Sequence, residues 1–179
     1  MTRLSVYAVD GEPVLDTHDP ARIAEALAPL GVRFEQWTAR PLPADADQAT
    51  VLDAFAPEVE RLRAEKGYRT VDVIRMTPDH PERAALRTKF LSEHRHSEDE
   101  VRFFVEGEGL FTLRDDARVH AVLCEQGDLI SVPAGMRHWF DMGPSPRFTA
   151  IRLFIDPAGW VADFTGDAIA DRFPRHEPA

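Results

Sequence analysis

Short apolar runs separated by turn residues dominate the chain from Phe90 onward. The tetrapeptide Glu106-Gly107-Glu108-Gly109 and the pair Asp115-Asp116 supply turn chemistry between runs. The runs are Val101–Val105, Leu110–Leu113, Val119–Leu123, Leu129–Val132, His138–Asp141 and Phe148–Ile155. Because they recur at spacings near ten residues, they predict short strands of an antiparallel sandwich or barrel.

The part of the chain before Phe90 has apolar positions at helical spacing. Asp19-Pro20 is typical of a helix start, and Gly31 ends this helix. Pro57 interrupts a second helical segment and predicts a kink or two short helices. The predicted helical segments are 20–30, 50–66, a turn over 81–87 and a short helix after Asp156; the predicted strands are Leu4–Val9, Val32–Thr38 and Thr70–Met76.

The length of 179 residues fits one domain, which we expect to span 1–179. Within it, residues 1–67 supply helices and strands that pack on the barrel. Residues 68–156 form the barrel core, and residues 157–179 form a C-terminal helix and tail. The expected fold class is therefore mainly β, an antiparallel β-barrel with a few peripheral helices.

The charge balance excludes several classes of partner. The chain has 31 acidic and 21 basic residues, a net charge of −10, and its only lysines are Lys66 and Lys89. A surface this acidic repels phosphate backbones and anionic lipid, so we expect neither a nucleic-acid nor a membrane partner. With 44% hydrophobic and 29% charged residues, the composition is that of an ordinary globular protein.

The cellular compartment is predicted from what the sequence lacks. Cys124 is the only cysteine, so no intrachain disulfide can form, and its apolar neighbours predict a buried structural role. Asp10 and Glu12 leave no room for a signal-peptide core, and no uncharged stretch of 18 residues is present. We expect a cytoplasmic protein.

A cluster of potential metal ligands stands between the two halves of the chain. On a β-strand, His94 and His96 point to the same face. A turn through residues 97–99 then returns Glu100 on the next strand, and a third imidazole, His138, follows two glycines and a proline. Imidazole and carboxylate groups bind borderline divalent metals, so the pattern predicts a site of three histidines and one glutamate.

These residues also resemble the two motifs of the cupin superfamily. The first is matched by His94, His96, Glu100 and Gly107, and the second by Gly127, Pro133, Gly135 and His138. Thr88 stands where the general motif has Gly, and Met142 where it has Asn. The resemblance implies a cupin-type barrel, a double-stranded β-helix or jelly roll, closed around the metal.

A more specific resemblance is to the acireductone dioxygenase family. It is dense from about residue 68 to 173 and is carried by Lys89–Gly107, Asp128–Pro133, His138–Gly143, Phe148–Arg152, Trp160 and Phe164–Asp167. It implies methionine salvage, in which acireductone (1,2-dihydroxy-3-keto-5-methylthiopentene) is cleaved with O₂. The resemblance also implies one Fe²⁺ or Ni²⁺ per monomer. With Fe²⁺ the expected products are formate and 4-methylthio-2-oxobutanoate. With Ni²⁺ they are formate, CO and 3-methylthiopropionate.

The same resemblance suggests substrate contacts. Arg102 shares the strand face of Glu100, so its guanidinium is a candidate to orient an oxyanion or fix the carboxylate, the alternative being a surface salt bridge. Arg152 is a second candidate cation. The apolar wall for the methylthio group is assigned to Phe90, Phe140 and Trp160, each of which is otherwise a core residue.

The sequence is compatible with two other functions. One is a cupin dioxygenase that acts on a different enediol or diketone. The other is a non-enzymatic cupin that uses metal only to hold a small molecule, although the length and charge leave no obvious room for a DNA-binding module. We expect a monomer, because no exposed apolar helix stands out.

Overall fold

A computed structural model describes residues 1–177. The strands are β1 (Arg3–Ala8), β2 (Pro13–Thr17), β3 (Arg33–Gln36), β4 (Thr70–Met76), β5 (His94–Arg95), β6 (Glu100–Arg114), β7 (Arg118–Glu125), β8 (Asp128–Val132), β9 (Arg137–Asp141), β10 (Phe148–Phe154) and β11 (Asp163–Phe164). The helices are α1 (Pro20–Leu27), α2 (Gln48–Ala54), α3 (Ala56–Lys66) and α4 (Arg83–Leu91), with 3₁₀ turns at Ala28–Leu30, Pro157–Trp160 and Ile169–Arg172.

The strands form two antiparallel sheets that share one long strand. The first sheet has the order β11-β5-β9-β6-β7-β1-β2, and the second has the order β4-β10-β6-β8-β3. Apolar side chains from both sheets meet between them, with Phe104, Phe111 and Phe140 fully or almost fully buried. The predicted mainly-β fold, an antiparallel barrel with peripheral helices, is confirmed.

The predicted turn at Glu106–Gly109 is wrong, because β6 passes through it without ending. Gly107 has a φ of +74°, which is a conformation that glycine adopts without steric cost. A β-carbon at this position would lie 1.9 Å from the carbonyl oxygen of Arg147, so β6 and the start of β10 approach more closely than any side chain permits. The strand therefore bends here and continues from the second sheet into the first.

The N-terminal third of the chain supplies strands to both sheets and two helices that pack on the second sheet. β1 pairs with β7, and β3 pairs with β8, so both are hydrogen-bonded members of the sheets. α2 and α3 pack Val51, Phe55 and Leu62 against the outer face of the second sheet. The two-helix alternative predicted at Pro57 is confirmed: α2 ends at Ala54 and α3 carries Pro57 in its first turn.

Other elements differ in extent from their predictions. α4 runs four residues beyond the predicted end at Arg87, and β2 has no counterpart in the predicted elements. Where a C-terminal helix is predicted, the structure has two 3₁₀ turns separated by β11. Residues 178 and 179 of the predicted tail lie outside the described part. Within residues 1–177, no helix has both the length and the apolar character needed to span a bilayer.

Candidate metal centre

Three strands bring the four predicted ligands to one point inside the barrel. β5 carries His94 and is followed at once by His96, β6 begins with Glu100, and β9 carries His138, which pairs directly with His94. One ligand atom from each of the four side chains lies within 4.8 Å of every other. All four are buried, with exposed fractions between 1% and 8%. The structure therefore assembles the predicted set of three histidines and one glutamate.

Backbone carbonyls fix the tautomer of each histidine. The Nδ1 atom of His94 lies 2.7 Å from the oxygen of Ser92, and that of His138 lies 2.8 Å from the oxygen of Met136. The Nδ1 atom of His96 lies 3.2 Å from the oxygen of Val161. Because a carbonyl only accepts hydrogen bonds, Nδ1 must carry the proton, and each Nε2 keeps a lone pair directed to the centre.

The carboxylate of Glu100 faces these lone pairs. Its Oε2 atom lies 2.9 Å from Nε2 of His138 and 3.2 Å from Nε2 of His96. Burial opposes ionisation of Glu100, but the cation of Arg102 holds the pKa of Glu100 well below its usual value, so it is ionised. Burial lowers the pKa of His94 to about 4, which keeps its imidazole neutral at pH 7.

This donor set fits a divalent cation. An anion that faces imidazole lone pairs is repelled unless a positive charge lies between them. Neighbouring ligand atoms about 2.1 Å from one ion and at right angles to it are about 3.0 Å apart, and the separations of 2.9 and 3.2 Å between Glu100 and the two histidines match this spacing. Three imidazoles and one carboxylate suit a transition-metal ion rather than Mg²⁺ or Ca²⁺.

Arg102 lies beside the four ligands, as its predicted strand face requires. Its Nε atom is 3.0 Å from Oε1 of Glu100, yet among the described residues Nε has no hydrogen-bond partner, because the N–H is not aimed at that oxygen. The guanidinium carbon lies 4.7 Å from the ring centroid of Phe140 and 5.7 Å from that of Trp160. Burial lowers the pKa of Arg102, and Glu100 opposes this effect.

The other predicted contacts differ in their distance from the centre. Trp160 stacks on His96 with a centroid distance of 6.2 Å and an interplanar angle of 25°. Arg152 lies opposite Arg102 on the neighbouring strand, but its guanidinium is held by Asp72 at 2.8 and 2.5 Å. Phe90 is a partly buried residue of α4 that packs against the barrel core.

Several residues around the centre escaped the sequence analysis. Glu93, which is 1% exposed, accepts hydrogen bonds from Arg114 at 3.0 Å and from Thr165 at 2.7 Å, and so ties β6 and the C-terminal segment to the ligand strand. The position of Glu93 beside His94 is the only sequence signal for it. No sequence signal identifies the carbonyl of Val161, because every residue type supplies a backbone acceptor.

Comparisons with known proteins agree with the site. The model of the ARD/ARD' family matches residues 10–162. Acireductone dioxygenases of Pseudomonas paraeruginosa and Parasynechococcus marenigrum are 63% and 60% identical to the chain; the first alignment covers 97% of this chain and 98% of the relative, the second 98% and 99%.

A solved structure extends this agreement to the fold. It is described as acireductone dioxygenase from Bacillus anthracis with cadmium ion in active center; it has a TM-score of 0.82 and 32% identity, covering 92% of this chain and 98% of that one. The likeness therefore extends over nearly the whole chain in both sequence and fold. The chain belongs to the acireductone dioxygenase (ARD/ARD') family.

Proposed function

We propose that this protein is an acireductone dioxygenase that cleaves 1,2-dihydroxy-3-keto-5-methylthiopentene with O₂ in methionine salvage. The observation that carries the proposal is the convergence of three buried imidazoles and one buried carboxylate in a chain of this family. Relatives with 55–63% identity over nearly the full chain bear the same enzyme name. The site is therefore assigned an oxidative cleavage of a small enediol.

The metal in this proposal is one Fe²⁺ or Ni²⁺ per chain, held by His94, His96, Glu100 and His138. When bound, such an ion supplies Lewis-acid charge that favours the ionised enediol and leaves coordination positions for it. We assign formate and 4-methylthio-2-oxobutanoate to the iron form. We assign formate, CO and 3-methylthiopropionate to the nickel form.

The protein prepares its ligands by holding protons in place. With Nδ1 protonated against the carbonyls of Ser92, Met136 and Val161, the three imidazoles present Nε2 without first losing a proton. Glu100 needs no deprotonation either, since its pKa lies well below the usual value. The site is therefore preorganised for a cation, and little reorganisation is needed when the cation binds.

Arg102 is the residue we assign to the substrate oxyanion. It is 5% exposed and carries its charge beside Glu100, where the surroundings exclude water and strengthen electrostatic interactions. Its guanidinium retains donors that no described residue uses, Nε among them. Arg152, whose guanidinium Asp72 holds, contributes positive charge at a greater distance.

The methylthio group requires an apolar environment, which the aromatic side chains around Arg102 provide. The ring of Phe140 lies against the guanidinium of Arg102, and the ring centroid of Trp160 lies 5.7 Å from the guanidinium carbon of Arg102 and 5.2 Å from that of Arg152. Phe90, which packs against the barrel core, is also assigned to the apolar wall for the methylthio group. Together these side chains select a small, unbranched and apolar substrate chain.

The proposal also includes a monomeric, cytoplasmic enzyme. A buried, unpaired Cys124 is compatible with a reducing compartment, since the fold needs no disulfide. Size-exclusion chromatography with light scattering should give the mass of one 20.1 kDa chain. A stable dimer would contradict the monomer without affecting the assignment of the reaction.

The experiment that tests the function is O₂ uptake with acireductone on protein stripped of metal and reloaded separately with Fe²⁺ and Ni²⁺. We expect no uptake without metal, keto acid and formate with iron, and CO with nickel. No uptake at full metal occupancy would overturn the dioxygenase and leave a metal-dependent binding protein. Uptake with a bulky diketone but not with acireductone would assign another substrate to the site.

A further inference from the structure

The four metal ligands are almost completely buried, yet a substrate must reach them. The residues 155–161, here called the cover segment, lie against the loop that joins β5 to β6. The indole of Trp160 stacks on His96 and donates a hydrogen bond to the carbonyl of Asp99 at 3.2 Å. The carbonyl of Val161 accepts from Nδ1 of His96. The cover segment therefore contributes directly to the metal site.

One side chain of the loop holds the start of the cover segment. Oε2 of Glu98 accepts hydrogen bonds from two successive backbone N–H groups, those of Ile155 at 3.1 Å and Asp156 at 2.9 Å. Hydrogen bonds from backbone N–H to an ionised carboxylate are about twice as strong as neutral ones. The end of β10 is thereby fastened to the loop between His96 and Glu100.

The 3₁₀ turn Pro157–Trp160, which follows these two residues, also packs against the Glu98 side chain. Gly159 is buried, and a β-carbon built on it would lie 2.4 Å from Cγ and 2.6 Å from Cδ of Glu98. Only glycine permits this close approach. Glu98 thus contacts the cover segment before the 3₁₀ turn, at Ile155 and Asp156, and within it, at Gly159.

We propose that Glu98 is a positioning residue, whose carboxylate holds the cover segment closed over the metal site and so controls how tightly a bound substrate is enclosed. Glu98 acts through Trp160 and Val161 and does not itself contact substrate. The kinetic consequence rests on the proposed function, whereas the structural contact does not.

Amide hydrogen exchange tests the contact itself. In metal-loaded Glu98→Ala, the amides of Ile155 and Asp156 should exchange at least about tenfold faster than in the parent, since both lose their acceptor. Both hydrogen bonds end on the same oxygen, so the amide oxygen of Glu98→Gln can accept both, and this variant should stay within about threefold of the parent. Unchanged exchange in Glu98→Ala would overturn the proposal.

The kinetic test uses the Michaelis parameters for acireductone. If loss of the contact leaves the cover segment docked in about one molecule in ten, the apparent substrate affinity falls about tenfold. We therefore expect KM to rise about tenfold in Glu98→Ala, kcat to change less than about threefold, and Glu98→Gln to recover most of the difference. The control is Glu25→Ala, an exposed glutamate of α1, which should match the parent. An unchanged KM, or an equal loss in Glu98→Gln, would overturn the proposal.

A double-substitution cycle gives a second, independent test. Gly159→Ala should accelerate exchange at Ile155 and Asp156, because the new methyl group displaces the Glu98 side chain. In the Glu98→Ala background Cγ and Cδ are gone and only Cβ, 2.9 Å from the new carbon, remains, so the same change should have a much smaller further effect. Equal effects in both backgrounds would contradict the proposed contact. Should the parent show no O₂ uptake, the proposed function fails, and these exchange measurements still decide the role of Glu98.

Discussion

The guanidinium Nε of Arg102 lies 3.0 Å from Oε1 of Glu100, and both side chains are buried. The two residues are separated by one position on β6, so both point into the barrel. Removing one partner of a buried ion pair leaves the other charge uncompensated, which makes the pair sensitive to substitution. A cation bound by the three imidazoles would also face Glu100, so in the metal-loaded protein the charge of Glu100 remains compensated when Arg102 is changed.

Arg102→Ala should therefore retain metal but lose turnover. We expect about one ion per chain by elemental analysis, and kcat/KM lower by roughly 10²- to 10³-fold, which is the effect of removing one charged group that stabilises a developing oxyanion. Steady-state O₂ uptake measures the loss. The control Arg22→Ala, on the exposed face of α1, should leave both quantities unchanged. Full activity of Arg102→Ala would return Arg102 to a purely structural role.

His96→Ala should remove metal and activity together. The imidazole supplies one of the four ligand atoms, and its ring supports Trp160, so its loss weakens both the site and its cover. We expect metal content below about one tenth of the parent after dialysis, with a melting temperature that no longer rises on addition of metal. His18→Ala, which removes an exposed imidazole, is the control. Retention of a full ion by His96→Ala would refute the ligand assignment.

His120 gives a pH-dependent prediction away from the ligands. It is 5% exposed, lies between Leu113 and Val6 on the neighbouring strands, and its Nδ1 has no hydrogen-bond partner among the described residues. Burial lowers its pKa; Asp115 opposes this shift and Arg118 adds to it. Below pH about 6.5 the unfolded chain binds a proton that the folded protein binds only at lower pH, so stability falls as the pH falls.

The variant His120→Phe should remove this dependence. Its advantage in free energy of unfolding over the parent should grow between pH 8 and pH 5, by at most about 2 kcal/mol, as measured by urea denaturation. Contributions from other titrating groups are common to both proteins and cancel in the difference. A constant difference for His120→Phe would contradict the assignment of a buried, neutral imidazole.

The ligand cluster was predictable because its geometry is mostly local. The two-residue period places His94 and His96 together on a strand, and the turn before Glu100 is short enough for the sequence to determine it. His138 joins them through the pairing of β5 with β9, which the two-residue period does not specify. Local patterns determine three of the four ligands, and the topology determines the fourth.

The contacts that depend on distant segments were not predictable. Asp72 pairs with Arg152 from 80 positions away, and the carbonyl of Val161 reaches His96 across 65 positions. In neither case does the residue type indicate the partner, since half-buried ion pairs and backbone acceptors are common throughout the chain. Likewise, Gly107 and Gly109, which alternate with Glu106 and Glu108, are typical of a turn, and only the pairing of β6 on both sides makes them strand residues.

Gly107→Ala should therefore destabilise the protein far more than an ordinary glycine substitution. The new methyl group would meet the carbonyl of Arg147 at 1.9 Å, and the positive φ adds about 1–2 kcal/mol of strain. The matched control is Gly11→Ala, which has φ +99° but nothing within 4 Å of the added carbon, and which should lose only the strain energy. We expect a loss of roughly 3 kcal/mol or more for Gly107→Ala by urea denaturation. Equal losses in the two variants would mean that the contact with Arg147 relaxes freely, and that Gly107 is needed for its backbone angle alone.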